Sequence, residues 1–316
     1  MTLRIVFMGT AELACFSLKA LAGDSRFNVI AVVTQPDRPK GRQLRLLPSP
    51  VKQTALELDL PVLQPQRARS PEFLQELKSL QPDLIVVAAY GQILPQALLD
   101  LPSFGCLNVH TSLLPKYRGA APIQWAILDG ESETGVPIIT MAYGLGTAAI
   151  LGQETTQKAA ADNSQTLHDR LARMGAQLLS DTIPAYVSGG ITPRKQPAQD
   201  ASYARKISRE DGRIDWQQPA EVIWRRIRAF TPWPGAFAFQ ENKTEKRLLK
   251  IWEAEPVPSN SGAVPGIILE ADKSGIVVAC GSDAVRILAL QREGGRRLSA
   301  GEFLMGMKLS AGEKLT

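Results

Sequence analysis

Asn108 and His110 stand one residue apart at the end of an apolar run, Cys106-Leu107-Asn108-Val109-His110. On an extended segment, residues two apart point the same way, so an amide donor and an imidazole would face one substrate atom. That pairing suits acyl transfer to an amine, in which the attacking nitrogen loses a proton and the former carbonyl oxygen gains negative charge. The amide stabilises the oxyanion and the imidazole moves protons near neutral pH. On local pattern alone, an asparagine capping a turn and a satisfied core histidine fit equally well. The chain has 2 histidines. The other, His168, lies mid-helix among charges in Thr166-Leu167-His168-Asp169-Arg170 and reads as a solvated surface residue.

Other chemistries find little support. Gly9-Thr10-Ala11-Glu12 follows an apolar run but lacks GxGxxG, and no acidic residue ends the second strand where a dinucleotide ribose would need one. Walker, HExxH and GxSxG patterns are missing. Cys15, Cys106 and Cys280 are far apart, lie in apolar surroundings and show no ligand spacing, which predicts reduced, buried thiols and no metal site.

Around the pair, strands and helices alternate. Strands are expected at residues 3–8, 29–34, 62–63, 84–89, 106–109 and 136–141, with helices at 71–80, 94–101 and 121–129. Leu13, Phe16, Leu18 and Leu21 mark a helix after the first strand. A further strand at 150–157 and a long helix over 164–188, stopped by Gly189-Gly190, complete the region. The pattern predicts an α/β fold with a doubly wound, mainly parallel, Rossmann-like sheet. Ligands of such sheets sit at the carboxyl ends of strands, where His110 falls. Residues 191–207 read as a proline-punctuated linker between a domain spanning 1–190 and one spanning 208–316. The second opens with a helix near 220–230, and its short strands at 235–240, 248–253, 264–270, 275–280 and 285–291 suggest a small, OB-like β-barrel.

A length of 316 residues fits two domains, and 44% hydrophobic with 21% charged residues fits a globular chain. A net charge of +5 hints at an anionic partner. No run reaches the roughly 18 apolar residues of a membrane span, and the amino end resembles no signal peptide, so a cytoplasmic protein is expected. A monomer is expected as well, although neither observation bears on it.

The stretch Leu107-Asn108-Val109-His110-Thr111-Ser112-Leu113-Leu114-Pro115-Lys116-Tyr117-Arg118-Gly119-Ala120-Ala121-Pro122-Ile123 resembles the signature of the methionyl-tRNA formyltransferases, within the wider 10-formyltetrahydrofolate-dependent formyltransferases. Thr34-Gln35-Pro36-Asp37-Arg38-Pro39, Ser49-Pro50-Val51-Lys52 and Val87-Ala88-Ala89-Tyr90-Gly91-Gln92-Ile93-Leu94-Pro95 join it in the expected order. So do Arg213-Ile214-Asp215-Trp216 and Ile227-Arg228-Ala229-Phe230-Thr231-Pro232-Trp233-Pro234, so the resemblance covers essentially the full chain.

The resemblance implies that Asn108 and His110 act on the formyl group. It implies that Tyr90, Gly91, Ile93, Leu94 and Pro95, with Ser112, Leu113, Leu114 and Pro115, line the 10-formyltetrahydrofolate site. The acceptor would be the α-amine of methionine on initiator methionyl-tRNA. Residues 36–52 resemble the family's tRNA-contacting insertion, and Arg205 and Lys206 match a basic point near the acceptor end. The insertion's charge fits independently: Arg38, Lys40, Arg42, Arg45 and Lys52 face a single acid, Asp37. A sugar or glycinamide ribonucleotide formyltransferase fits less well, because the basic insertion and the barrel suit a tRNA.

One departure bears on chemistry. The family places a carboxylate in a Gly-Leu-Asp-Thr-Gly loop, whereas this chain reads Gly144-Leu145-Gly146-Thr147-Ala148, with no acid between Glu133 and Glu154. A carboxylate there would favour imidazolium and hold a water. Two expectations follow: an active formyltransferase that tolerates Gly146, or a folate- and tRNA-binding homologue of impaired catalysis.

Overall fold

A computed structural model of the chain describes residues 2–40, 45–141, 148–197, 199–241 and 246–316. From the amino end run β1 (Leu3–Gly9), α1 (Glu12–Ala22), β2 (Phe27–Val33), the hairpin strands β3 (Arg38–Lys40) and β4 (Arg45–Leu47), and α2 (Pro50–Glu57). Next come β5 (Val62–Leu63), α3 (Pro71–Ser79), β6 (Leu84–Ala88), α4 (Gln96–Leu99), β7 (Cys106–Val109) and β8 (Arg118–Gly119). Then follow α5 (Pro122–Leu128), β9 (Glu133–Thr140), β10 (Ala149–Gln157), α6 (Ser164–Val187), β11 (Arg194–Lys195) and β12 (Tyr203–Ala204). The remainder holds α7 (Ala220–Ala229), β13 (Ala236–Glu241), β14 (Lys246–Val257), β15 (Ile268–Asp272), β16 (Gly275–Ala279), β17 (Ala284–Arg292), β18 (Leu298–Ser299) and α8 (Ala300–Gly306).

The chain divides into two compact units. The first comprises Met1–Arg118, Glu133–Gln157 and His168–Tyr203; the second comprises Gly119–Ser132, Lys158–Leu167 and Ala204–Thr316. Residues 119–132 and 158–167, which fall inside 1–190 in linear order, therefore belong to the same unit as the C-terminal strands.

The first unit is built on an eight-stranded sheet in the order β11-β10-β9-β7-β6-β1-β2-β5. From β5 to β7 the strands are parallel; β9, β10 and β11 continue the sheet antiparallel. The central strands read as continuous apolar runs because both faces are covered. Val6, Met8, Ile85 and Val87 pack with Phe73, Leu77 and Leu98 into one core cluster. On α6, a Cβ at Gly175 would lie 2.8 Å from Val109 Cγ1 and 3.0 Å from Val136 Cγ2, so the glycine lets that helix approach β7 and β9 closely. The predicted helix over 94–101 shrinks to Gln96–Leu99, because Pro95 disfavours helical geometry before it and Pro102 ends the run.

In the second unit a six-stranded antiparallel sheet runs β13-β14-β17-β16-β15, with β18 on β17. Ala236, Ala238, Leu249, Ile251, Ile276, Val278, Val285 and Ile287 alternate into a core that Ile223 and Ile227 of α7 and Phe303 of α8 complete. The edge strands are joined through the last residues: Phe239 and Thr316 exchange backbone bonds of 2.7 and 2.8 Å, Leu315 N donates to the Gly266 carbonyl, and Ile268 N to that of Glu313. This bridging closes the sheet toward the small barrel that the strand spacing suggested.

Candidate functional site

β7 is paired on both sides, with Asn108 opposite Val87 of β6 and Ile139 of β9. His110 N continues the ladder by donating to the Pro137 carbonyl at 3.1 Å. Leu107 and Val109 are buried on one face, whereas Asn108 and His110 are partly accessible on the other. The period-2 alternation therefore puts the amide and the imidazole on one face, as their spacing predicted.

His110 Nε2 lies 3.1 Å from the Tyr117 carbonyl. A carbonyl only accepts, so Nε2 carries the hydrogen and, in the neutral ring, Nδ1 carries the lone pair. Burial pushes the imidazole below its usual value, against a smaller upward pull from that hydrogen bond. At neutral pH the ring is an uncharged base. The carbonyl that fixes it is itself held: Tyr117 has a positive φ of 59°, and its N–H donates to Ser202 Oγ at 2.9 Å. Arg118 N donates to the Ser202 carbonyl, Arg118 Nε to Gln196 Oε1 at 2.9 Å, and Gln196 Nε2 to the Ala148 carbonyl at 2.8 Å. The 191–207 stretch thus does more than connect. It braces the histidine loop, and Arg194–Lys195 adds an edge strand to β10.

A second feature forms at the carboxyl ends of β1, β2 and β6. The Tyr90 carbonyl accepts from Thr10 Oγ1 and from Gln35 Nε2, each at 2.8 Å. Gly91 has a φ of +85°, which favours glycine, and a Cβ there would meet Gln35 Nε2 at 2.6 Å, so any larger residue would also push the Gln35 amide off the Tyr90 carbonyl. Beside this node opens a cleft of about 890 Å³ lined by Gln35, Arg38, Arg67, Arg69, Gly91 and Ile93 among others. The Ile93 side chain is 90% exposed at its mouth, an apolar surface that a bound ring would cover. Three guanidinium groups beside an apolar wall suit a flat ligand with carboxylates.

The comparisons with known proteins decide the lineage. Residues 3–183 match the formyl transferase family and residues 206–308 its C-terminal domain. The chain belongs to the formyl transferase family. It is 49% identical over 310 residues to the methionyl-tRNA formyltransferase of Citrifermentans bemidjiense, covering 98% of this chain and 95% of that one. The methionyl-tRNA formyltransferase of Caldanaerobacter subterraneus subsp. tengcongensis is 48% identical, over 98% of this chain and 99% of that one. Among solved structures, an N-formyltransferase from Helicobacter canadensis in complex with folinic acid and dTDP-3-aminofucose aligns with a TM-score of 0.64 at 19% identity, over 91% of this chain and 99% of that one. HypX from Aquifex aeolicus in complex with tetrahydrofolic acid aligns with a TM-score of 0.61 at 16% identity, over 99% of this chain and 51% of that one. At such identities the structural likeness speaks to the fold.

Within this formyl transferase chain the predicted site residues fall into three groups. Gly91, Ile93, Leu94 and Pro95 line the cleft, although the Leu94 side chain is mostly buried in the core cluster. Tyr90 contributes its carbonyl, since its ring is buried and its phenol is pushed up to about 12. Ser112, Leu113, Leu114 and Pro115 form the turn beyond His110, where Ser112 Oγ donates to the Lys116 carbonyl and Leu114 packs on Ile139 and Ile150.

Among the basic residues, Arg38 donates to Gln35 Oε1 at 2.6 Å. Lys52, read with the basic segment, lies instead on α2 and pairs with Asp37 at 2.7 Å, holding that carboxyl below its usual range. Lys40 and Arg45 belong to the hairpin β3–β4, where Lys40 pairs with Arg45 in register. Arg205 is bound to Asp211, and its guanidinium lies 5.2 Å from the Trp125 ring centre. Lys206 is exposed. Arg42 and Gly146 lie outside the described residues. His168 is half-buried and bonds Asp169 at 2.9 Å, which makes it less solvated than its charged neighbours suggested. Thr10, Gln35, Arg67, Arg69, Ser202 and Gln196 were not singled out from sequence as site residues; the Thr34–Pro39 motif was the nearest signal.

Among the described residues no group of three or more His, Cys, Asp or Glu is placed to hold a metal ion. The three cysteines are free and buried, and no described helix is long and apolar enough to cross a membrane.

Proposed function

We propose that the chain transfers the formyl group of 10-formyltetrahydrofolate to the α-amine of methionine on initiator methionyl-tRNA. The carrying observation is the neutral His110, tied at Nε2 to the Tyr117 carbonyl and facing the same way as Asn108. The amine nitrogen attacks the formyl carbon, Asn108 donates to the oxyanion, and His110 Nδ1 accepts the proton that the amine releases. As the bond from carbon to N10 breaks, that proton passes to N10, leaving tetrahydrofolate and a formyl amide.

In this reading the cleft bounded by Gly91, Ile93 and Pro95 holds the folate, with Arg67 and Arg69 near its glutamate carboxylates. Residues 1–190 carry the catalytic pair, 191–207 brace the histidine loop as well as join the parts, and 208–316 contact the tRNA together with Arg38, Lys40, Arg42, Arg45, Arg205 and Lys206. The protein works in the cytoplasm as a monomer. Relatives named methionyl-tRNA formyltransferase over nearly the full length support the acceptor assignment.

Gly146 motivates a second reading, a homologue that binds folate and tRNA but turns over slowly. Formyl transfer to methionyl initiator tRNA, measured for the unaltered protein and for Gly146→Asp, separates the two. A rate raised roughly 10²- to 10⁴-fold by Gly146→Asp, the size of one acid–base partner, marks an impaired site. Equal, fast rates mark an enzyme that tolerates glycine. Failure to bind either substrate overturns both readings.

A further inference from the structure

Trp233 lies on the second unit in the segment Thr231-Pro232-Trp233-Pro234-Gly235, and the residue is 55% exposed. Leaving an indole that open forfeits burial that a ring of this size would otherwise gain. The flanking prolines restrict the backbone that carries the ring. Its surroundings are polar and cationic. Lys250 Nζ donates to the Pro234 carbonyl at 3.2 Å. A Cβ on Gly235 would meet that ammonium and the Trp252 ring, each at 3.4 Å, which places both groups over the residue next to Pro234.

The strand register explains the cluster. Leu249 and Ile251 of β14 point into the barrel core, so Lys250 and Trp252 share the outer face. The Lys250 ammonium is 5.5 Å from the Trp252 ring centre and the Arg297 guanidinium 5.9 Å. Trp252 Nε1 donates to Gln291 Oε1 at 2.9 Å, which fixes the edge of the indole. Arg297 also pairs with Glu253. An indole flanked by an ammonium and a guanidinium, packed by the backbone that carries the exposed Trp233, suits a flat π system carrying a nearby negative charge.

We propose that the Trp233–Lys250–Trp252 cluster is a stacking site for an unpaired nucleobase of the RNA substrate, with the adjoining phosphate held by Lys250. The ring stacks on Trp233 without regard to base identity, since every base has a π face. This rests on the reading of the acceptor as a tRNA.

Binding of a four-nucleotide single-stranded RNA and of initiator tRNA, followed by tryptophan fluorescence and by competition, tests the site. Trp233→Ala is expected to weaken the single strand about 5- to 150-fold, the worth of one base–aromatic stack, while Trp233→Phe retains most of the affinity. Lys250→Ala lowers the salt slope by roughly 0.7, as for one phosphate on a single strand. Quenching seen in the unaltered protein and lost in Trp233→Phe assigns the stacked indole, and this comparison decides the matter if Trp233→Ala lowers the melting temperature. Equal affinity of Trp233→Ala and the unaltered protein, or quenching undiminished in Trp233→Phe, overturns the proposal. If the protein binds RNA through Trp233 yet formylates no methionyl-tRNA, the function reading fails and the stacking site stands. If it formylates methionyl-tRNA with an RNA affinity indifferent to position 233, the function reading stands and the stacking site fails.

Discussion

Gly175→Ala sets two effects of opposite sign against each other. Gly175 lies well inside α6, where alanine is favoured over glycine by about 0.8–1.0 kcal/mol. The new methyl, however, would stand 2.8 Å from Val109 Cγ1 and 3.0 Å from Val136 Cγ2. Both valines are β-branched and anchored by ladder bonds in β7 and β9, so neither can rotate away cheaply. Overpacking of this kind costs roughly 1–3 kcal/mol. The net expectation is a loss of up to about 2 kcal/mol, or a fall in Tm of up to about 8 °C for a unit of this size. Because Val109 sits between Asn108 and His110, the shift reaches the chemistry. A displacement approaching 1 Å costs on the order of 10²-fold in rate, seen as a drop in kcat for formyl transfer. Urea titration and steady-state rates, repeated on Gly175→Ala with Val109→Ala, complete a cycle in which the second change relieves the first. A single variant more stable than its parent by about 1 kcal/mol, with unaltered kcat, would refute the close-approach argument.

Two further outcomes follow from the site. Since burial depresses the His110 pKa and the free base is the working form, kcat/KM is expected to stay level down to about pH 6.5, the ordinary histidine value, and to fall below it; Gly146→Asp moves that limb upward by favouring the imidazolium. The same depression makes the unfolded chain the better proton binder, so His110→Gln should lose less stability than the parent as the pH drops from about 6.5 through the folded value. A limb centred above 7 in the unaltered protein contradicts the neutral-ring assignment. Arg42→Ala should weaken use of tRNA and reduce its salt slope by about 1, with folate affinity unchanged; identical slopes for variant and parent count against a phosphate contact.

The parallel strands were legible because burial on both faces leaves unbroken apolar runs, as in Ile5–Met8 and Leu84–Ala88. The Asn108–His110 pair was legible because alternation along a strand is a property of the backbone. What escaped has the opposite character. Arg194 and Lys195 join β10 through main-chain bonds that do not depend on residue type, so their charges suggested a linker. The hairpin β3–β4 hides in the same way behind basic side chains. The α2 helix lacks strong apolar periodicity, although the Ser49 cap on Lys52 N with Pro50 behind it was a readable start signal. The tautomer of His110 depends on a carbonyl that any residue at 117 would carry. Arg205 looked free for RNA because its partner, Asp211, is brought back only by the intervening turn.

The node on the Tyr90 carbonyl bears on how such a cleft can be inherited or transplanted. Its acceptor is main chain, so drift at position 90 leaves the hydrogen bonds standing, while the donors Thr10 and Gln35 come from loops 80 and 55 residues away. A loop exchange that moves residues 90–95 into another scaffold would carry the wall but not its fasteners. Grafts that also import threonine, glutamine and the glycine beside them should keep its shape, which makes these three small choices the portable part of the design.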